Sequence, residues 1–162
     1  MLNDKQRKMI KQVTGGQFRW FLFTQLPMGW IAGLRVKSLS PERCVTTVPY
    51  KWLTKNPFRS MYFAVQSMAA ELSTASTCLL ATAGQKPSVA FIIVDMKASF
   101  YKKATGKVYF TCEDASQAFD AVTNCIQSGN AETATFHTTG KMADGTVVSE
   151  FEFTWSFKQR KS

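Results

Sequence analysis

Between Arg59 and Lys86 a single side chain, Glu71, is charged. In this stretch Met61, Ala64 and Val65, Met68, Leu72, Ala75 and Leu79 recur at steps of three and four, the spacing of one helix face. The other faces carry Ser67, Ala69, Ala70, Ser73, Thr74, Ser76 and Thr77, where a surface helix would show Lys, Arg and Glu. The pattern predicts a helix over 58–82 that is enclosed on most sides. Pro57 suits its first turn, where a missing N–H costs nothing, and Gly84 and Pro87 end it.

Upstream, residues 3–14 read as an amphipathic helix, capped by Asn3 or Asp4, with Met9, Ile10 and Val13 as its apolar stripe and Gly15-Gly16 as its stop. A second helix over 17–25 turns Phe18, Phe21 and Leu22 toward the core and stops before Pro27. Strands are predicted at 33–40 and 42–50, divided by a Ser-Pro turn, then at 88–101 and 107–112. The run 89–94 is almost wholly apolar, as a central strand with both faces covered would be. Asp114 can cap a helix over 115–128 that Gly129 ends. A strand over 131–139 leads through Asp144-Gly145, a hairpin signal, into 147–158. There Phe151, Phe153, Trp155 and Phe157 alternate with Glu150, Glu152, Thr154 and Ser156. The plan is α+β: an antiparallel sheet of about six strands wrapped round one long helix. It forms a single domain over 1–162 with an N-terminal helical extension over about 1–26.

The length of 162 residues fits one domain. The net charge of +9 attracts phosphates of any kind, yet no zinc-finger pattern or RNP-type aromatic motif accompanies it, so nucleic acid is not the expected partner. The four cysteines (44, 78, 112 and 125) form no C-x-x-C pair and read as small buried hydrophobes in a reducing, cytoplasmic setting. The one histidine, His137, sits on the polar side of an alternating strand; no metal site is expected. The apolar run 17–34 is broken by Arg19, Gln25 and Pro27, which argues against a membrane span. Trp20 and Trp30 leave membrane-surface contact open.

Glu71 carries the candidate chemistry. A carboxylate enclosed by apolar surroundings loses hydration, so its pKa rises, which suits a general base near neutral pH. The plainer reading places it at an exposed helix edge or against a neighbouring hydroxyl. Asn56, before a proline, either bonds its own turn or offers its amide to a ligand.

These residues resemble the hot-dog-fold thioesterase superfamily. The nearest branches are typified by the phenylacetate-pathway acyl-CoA thioesterases and by an uncharacterised subfamily with Pro-x-Gly before the first strand and Asn-Pro-x-Arg-Ser before the helix. Those motifs are Pro27 and Gly29, and Asn56-Pro57-Phe58-Arg59-Ser60. Asn56, Tyr62 and Glu71 stand at the branch's spacings of Asn, His and acid. The segment from Val94 to Tyr101 is similar to its later strand signature, and 115–128 looks like an insertion. The branch's His-Gly-Gly is Tyr62-Phe63-Ala64 here, which keeps a backbone donor but loses the imidazole and both glycines.

The resemblance implies an acyl-CoA or acyl-carrier-protein thioesterase. Glu71 is then base or nucleophile, Asn56 holds water or the carbonyl oxygen, and the Phe63 N–H is the oxyanion donor. Tyr62, Met68, Arg59, Lys102 and Lys103 are substrate contacts, with Arg59, Lys102 and Lys103 either meeting coenzyme A phosphates or simply solvated. No cofactor is implied beyond coenzyme A as part of the substrate. It also implies a homodimer, or a tetramer, with sites between two central helices. The alternative is a non-catalytic hot-dog module that binds an acyl chain or acyl thioester.

Overall fold

The computed structural model describes residues 2–160. Helices α1 (Asp4–Thr14), α2 (Gln17–Gln25) and α3 (Pro27–Ala32) open the chain. Strands β1 (Arg35–Leu39) and β2 (Cys44–Val48) follow, then α4 (Phe63–Thr82), β3 (Val89–Phe100), β4 (Val108–Cys112), α5 (Gln117–Ser128), β5 (Glu132–Met142) and β6 (Val147–Gln159). The strands make one sheet in the order β1-β2-β4-β5-β6-β3, each neighbouring pair antiparallel. The sheet curls round α4, of which 13 of 20 residues are buried. This is the hot-dog arrangement.

The buried surface of α4 is not the apolar stripe alone. Ser73, Thr74, Ser76 and Thr77 are at most 2% exposed, whereas Met68 is half-buried and Leu79 is 42% exposed. Hydroxyls can face the sheet because the helix supplies their acceptors. Ser73 Oγ donates to the Ala70 carbonyl at 2.6 Å, Thr77 Oγ1 to Thr74 at 2.7 Å and Thr74 Oγ1 to Glu71 at 3.0 Å. Each such bond satisfies a polar atom without a partner from outside the helix. The sheet adds more: Thr46 Oγ1 donates to Ala69 O (2.6 Å), Trp155 Nε1–H donates to Thr74 Oγ1 (3.0 Å), and the Ser73 and Thr138 hydroxyls meet at 2.9 Å.

Opposite the hydroxyls stands the aromatic face of β6, where Phe151, Phe153, Trp155 and Phe157 are buried as the alternation predicts. Gly140 on β5 makes room for this layer: a Cβ there would lie 2.5 Å from Phe110 Cε1. The N-terminal helices close one end. Asn3 rather than Asp4 caps α1, in a box with Gln6. The Gln6 amide then donates to Leu80 O and the Asn3 amide to Ala83 O, both at 3.0 Å, tying α1 to the last turn of α4. Gly29 of α3 lies where a Cβ would come within 3.2 Å of Leu26 and Leu34 side chains.

Three expectations need correcting. The helix over 58–82 begins only at Phe63, because Arg59 has φ of +58°, a left-handed backbone that a right-handed helix does not accommodate. Asp114 makes no cap for α5; its carboxylate accepts from the His137 backbone N–H instead (3.0 Å). The apolar run 89–94 belongs to an edge strand, not a central one: β3 pairs with β6 alone, and positions 92–97 are exposed on both faces.

The Trp155–Thr74 bond yields a stability prediction. Thr74→Val keeps the shape but strands a buried indole N–H, so it should cost about 1–3 kcal/mol in denaturant unfolding. In a Trp155→Phe background the same change should cost less than half as much. Equal losses in both backgrounds would show that the bond contributes nothing.

Candidate active site

Asn56 builds the loop that leads into α4. Its Oδ1 accepts from the Phe58 N–H (3.0 Å), the Ser60 N–H (3.2 Å) and the Ser60 hydroxyl (3.2 Å), while its own N–H donates to Ser60 O at 2.8 Å. This closed turn holds Arg59 in its left-handed conformation. Two further bonds fix the exit: Met61 N–H to Ala104 O and Tyr62 N–H to Thr54 O, each 2.8 Å.

The start of α4 is therefore held in place, and it has no side-chain cap. The Val65 and Gln66 N–H groups reach back to Tyr62 O (3.0 and 3.2 Å). The amides of Phe63 and Ala64 have no acceptor among the described residues. Two unpaired N–H groups at the positive end of a 20-residue helix can receive a developing oxyanion.

Phe63 at this helix start borders a cleft of about 560 Å³ whose walls also include Asn56, Phe58, Tyr62, Gln66, Phe100, Tyr101, Lys102 and Lys103. Five of the sequence-predicted residues thus meet here: Asn56, Tyr62, Phe63, Lys102 and Lys103. The Phe63 ring meets Tyr62 and Phe100 edge-on, at centroid distances of 4.9 and 6.3 Å. Lys103 Nζ donates to Phe58 O (3.2 Å) and so also steadies the loop. The Asn56 oxygen is committed to its turn, which leaves its amide N–H groups as the part that can serve a ligand.

Arg59, Met68 and Glu71 do not line this cleft. Arg59 is exposed on the turn. Met68 and Glu71 lie further along α4, half-buried, on a strip with Ala64, Ser67 and Leu79 that the chain's own sheet leaves uncovered. The Glu71 carboxylate has no hydrogen bond or ion pair among the described residues. Burial pushes its pKa up to about 7, so it exchanges a proton near neutral pH. Eight residues of helix separate it from Phe63, roughly 12 Å along the axis. No single thioester carbonyl can touch both in one chain.

The sequence reading missed Gln66. It is 4% exposed, its Oε1 accepts from Ser149 Oγ (2.8 Å), and its Nε2 donates to Met61 O (3.4 Å), so it ties the cleft floor to β6. An amide among the apolar residues of an enclosed helix was the signal. His137 Nδ1 donates to Asp114 Oδ2 at 3.0 Å on the exposed side of β5, outside the cleft. Burial raises the thiols of Cys44, Cys78 and Cys112, against a thiolate nucleophile. Among the described residues no three of His, Cys, Asp and Glu converge to hold a metal ion. No helix among them is long and apolar enough to cross a membrane.

Residues 15–157 match the family described as Domain of unknown function (DUF4442). The chain belongs to the DUF4442 family. No curated protein matches it in sequence. Solved structures match this DUF4442 chain over nearly its whole length. A Pseudomonas aeruginosa protein of unknown function, described as a probable thioesterase, aligns with a TM-score of 0.75 at 20% identity over 90% of this chain and 97% of its own. A Chlorobaculum tepidum protein of unknown function aligns at 0.76 and 12% identity, covering 93% and 97%. A Haemophilus influenzae thioesterase aligns at 0.63 and 11% identity, covering 88% of each. At these identities the likeness carries the hot-dog fold and no branch within it.

The contribution of Asn56 to its turn can be read by substitution. Asn56→Ala removes the acceptor for three donors and should lower unfolding stability by about 1–3 kcal/mol. Asn56→Asp keeps that oxygen and should unfold within about 0.5 kcal/mol of the parent. An Asn56→Ala protein as stable as the parent would show that the turn does not need the side chain.

Proposed function

We propose that this DUF4442 chain hydrolyses an acyl thioester, carried on coenzyme A or an acyl-carrier protein, at a site completed by two copies of α4. The observation that carries the reading is Glu71. It is the one charged group on an enclosed helix, it has no partner among the described residues, and its pKa is drawn to about 7. An unpaired, half-buried carboxylate destabilises a fold, and sites are where such residues persist. Some structural relatives are described as thioesterases, in keeping with this.

The distance between Phe63 and Glu71 calls for the second copy. Two α4 helices packed antiparallel along their uncovered strips would bring Glu71 of each toward Phe63 of the other. The exposed edge and both exposed faces of β3 supply the remaining interface, since an unpaired apolar edge strand is a template for another strand.

The chemistry then needs few parts. Glu71 takes a proton from water, and the resulting hydroxide attacks the thioester carbonyl carbon. Negative charge gathers on the carbonyl oxygen, which the Phe63 and Ala64 N–H groups receive. Collapse breaks the carbon–sulfur bond, and Glu71 returns the proton to the departing thiolate. Water and thioester become acid and thiol, with Glu71 regenerated. Replacing His-Gly-Gly by Tyr62-Phe63-Ala64 leaves these steps intact, because the donors are backbone. Arg59, Lys102 and Lys103 sit where phosphates of the carrier would pass. The aromatic contacts of Phe63 across the cleft favour the second reading, a module that binds acyl thioesters without cleaving them. A panel of acyl-CoAs separates the two: bound but uncleaved at every chain length, they establish the module.

Glu71→Gln keeps shape and cannot take a proton. It should lower kcat by about 10²- to 10⁴-fold with acyl-CoA binding retained; a loss below about tenfold would remove Glu71 from the mechanism. The pH profile of kcat/KM should rise through a limb near 7. The stability sign is opposite to that of a salt-bridged acid. The folded-state pKa lies above the ordinary 4.5, so the folded protein holds the proton more tightly. Its stability should fall as pH rises from about 4.5 to about 7, then level off. Glu71→Gln should abolish that fall and raise Tm above pH 7.

Ile92→Asp with Val94→Asp places charge on the exposed face of β3. The parent should sediment as a dimer and the variant as a folded monomer, with hydrolysis lost in step. A parent that stays monomeric at high concentration, yet is active, would overturn the shared site.

A further inference from the structure

The strongest surface outside this cleft is the one formed by α2, α3 and the mouth of β1–β2. Helix α2 carries five large apolar residues among nine, yet the protein buries only Phe18 and Leu22 and leaves Trp20, Phe21 and Phe23 exposed. Trp20 is 70% exposed and Met28 59%. Trp20, Phe23 and Trp30 meet in series, tilted and then edge-on, at centroid distances of 5.6 and 5.3 Å on the outside of the molecule. Exposed aromatic and apolar patches of this kind mark an interaction face.

A cavity of about 620 Å³ opens beside them, sharing Trp30 and Arg19 with the aromatic patch. Arg19, Arg35, Lys51 and Lys107 line it over an apolar floor that includes Leu34, and no acidic residue is in its wall. None of the four cations has an ion pair among the described residues. The sequence shows that this is part of a larger segregation. Residues 1–70 contain eleven Lys or Arg and two acids, Asp4 and Glu42, whereas the rest of the chain contains nine of each. The whole net charge of +9 therefore belongs to residues 1–70, which supply α2, α3 and three of the four cations of the cavity.

We propose that the α2–α3 face docks on an anionic phospholipid surface, with the indole and phenyl rings in the headgroup layer and the four-cation cavity receiving a lipid phosphate. Charge complementarity selects this occupant. A second copy would set cations against the same cations with no acid to answer them. A bilayer offers phosphates at the height of the cavity and an apolar boundary for Trp20, Phe23 and Trp30, where indole rings partition. Each Lys or Arg near such a surface strengthens binding by about fivefold.

The test is co-sedimentation of the full chain with vesicles, one set of phosphatidylcholine alone and one with phosphatidylglycerol added. The protein should pellet with the second set and not the first. It should be released as salt rises from about 0.1 M to about 1 M. Its tryptophan emission should shift to the blue on binding, since Trp20, Trp30 and Trp52 are exposed while Trp155 is buried. Arg19→Gln with Lys51→Gln should weaken vesicle binding about 20-fold or more. Trp20→Ala with Phe23→Ala should remove the blue shift. Both variants should keep the parental Tm, and neither touches the candidate active site, so loss of docking and loss of hydrolysis are read separately. Protein that stays in the supernatant with anionic vesicles at low salt overturns the proposal, as does equal binding to both vesicle sets or undiminished binding by the variants. A parent oligomer that Trp20→Ala with Phe23→Ala dissociates would assign the face to self-association instead.

Discussion

A helix that is to be wrapped by a sheet must bring no polar group it cannot satisfy, and α4 meets that condition with hydroxyls. Ser73, Thr74 and Thr77 return their protons to carbonyls of the preceding turn, and Thr46 and the Trp155 indole complete the set from the sheet. Small hydroxyl side chains also keep the helix thin. The sheet can then approach closely enough for Phe151, Phe153, Trp155 and Phe157 to fill the space between. Larger apolar residues on that face would push the aromatic layer outward, and charged ones would lose their hydration with nothing to replace it. The curl of the sheet, the fixed start of α4 and the position of the cleft all depend on this fit.

Much of this plan is legible in the chain. The absence of Lys, Arg and Glu from every position but one of 60–85 announces an enclosed helix, and the alternation from Phe151 to Phe157 announces the sheet face that covers it. Which face of α4 meets that sheet is not legible. Periodicity marks Met68 and Leu79 as inward because they are apolar, whereas the fold turns the hydroxyls inward. The reason is that a serine's cost of burial depends on an acceptor in its own helix, and hydrophobic pattern does not encode acceptors. The start of α4 escapes for a similar reason. Pro57 fits a helix start in general, but Asn56 commits the next four residues to a turn, and a turn of hydrogen bonds outweighs a positional preference.

Sequence spacing groups Asn56, Tyr62, Phe63, Lys102 and Lys103, and the loop, helix start and strand end that carry them line one cleft. It sets Glu71 beside them only by count along the chain. In space a helix spreads those eight residues over roughly 12 Å. Within one chain Glu71 therefore stands apart from the cleft. The edge strand β3 tells the same story. Its apolar run is correct for a strand covered on both faces, and wrong for any strand of a lone chain at that position.

Two uncovered apolar surfaces remain on the molecule, and their charges call for different remedies. The β3 edge and the α4 strip carry few charges, with Glu71 among them, so a second copy laid antiparallel meets backbone with backbone and apolar with apolar. The α2–α3 face exposes Trp20, Phe23, Met28 and Trp30, but its cavity is lined by Arg19, Arg35, Lys51 and Lys107 with no acid in the wall. Hydrophobic gain from pairing that face with itself would be opposed by repulsion among facing cations, held close and partly screened from water. The same rings and the same cations work together against a surface that is negative outside and apolar beneath. On the proposed readings, charge is what suits one apolar face to a second copy and the other to a partner of another kind.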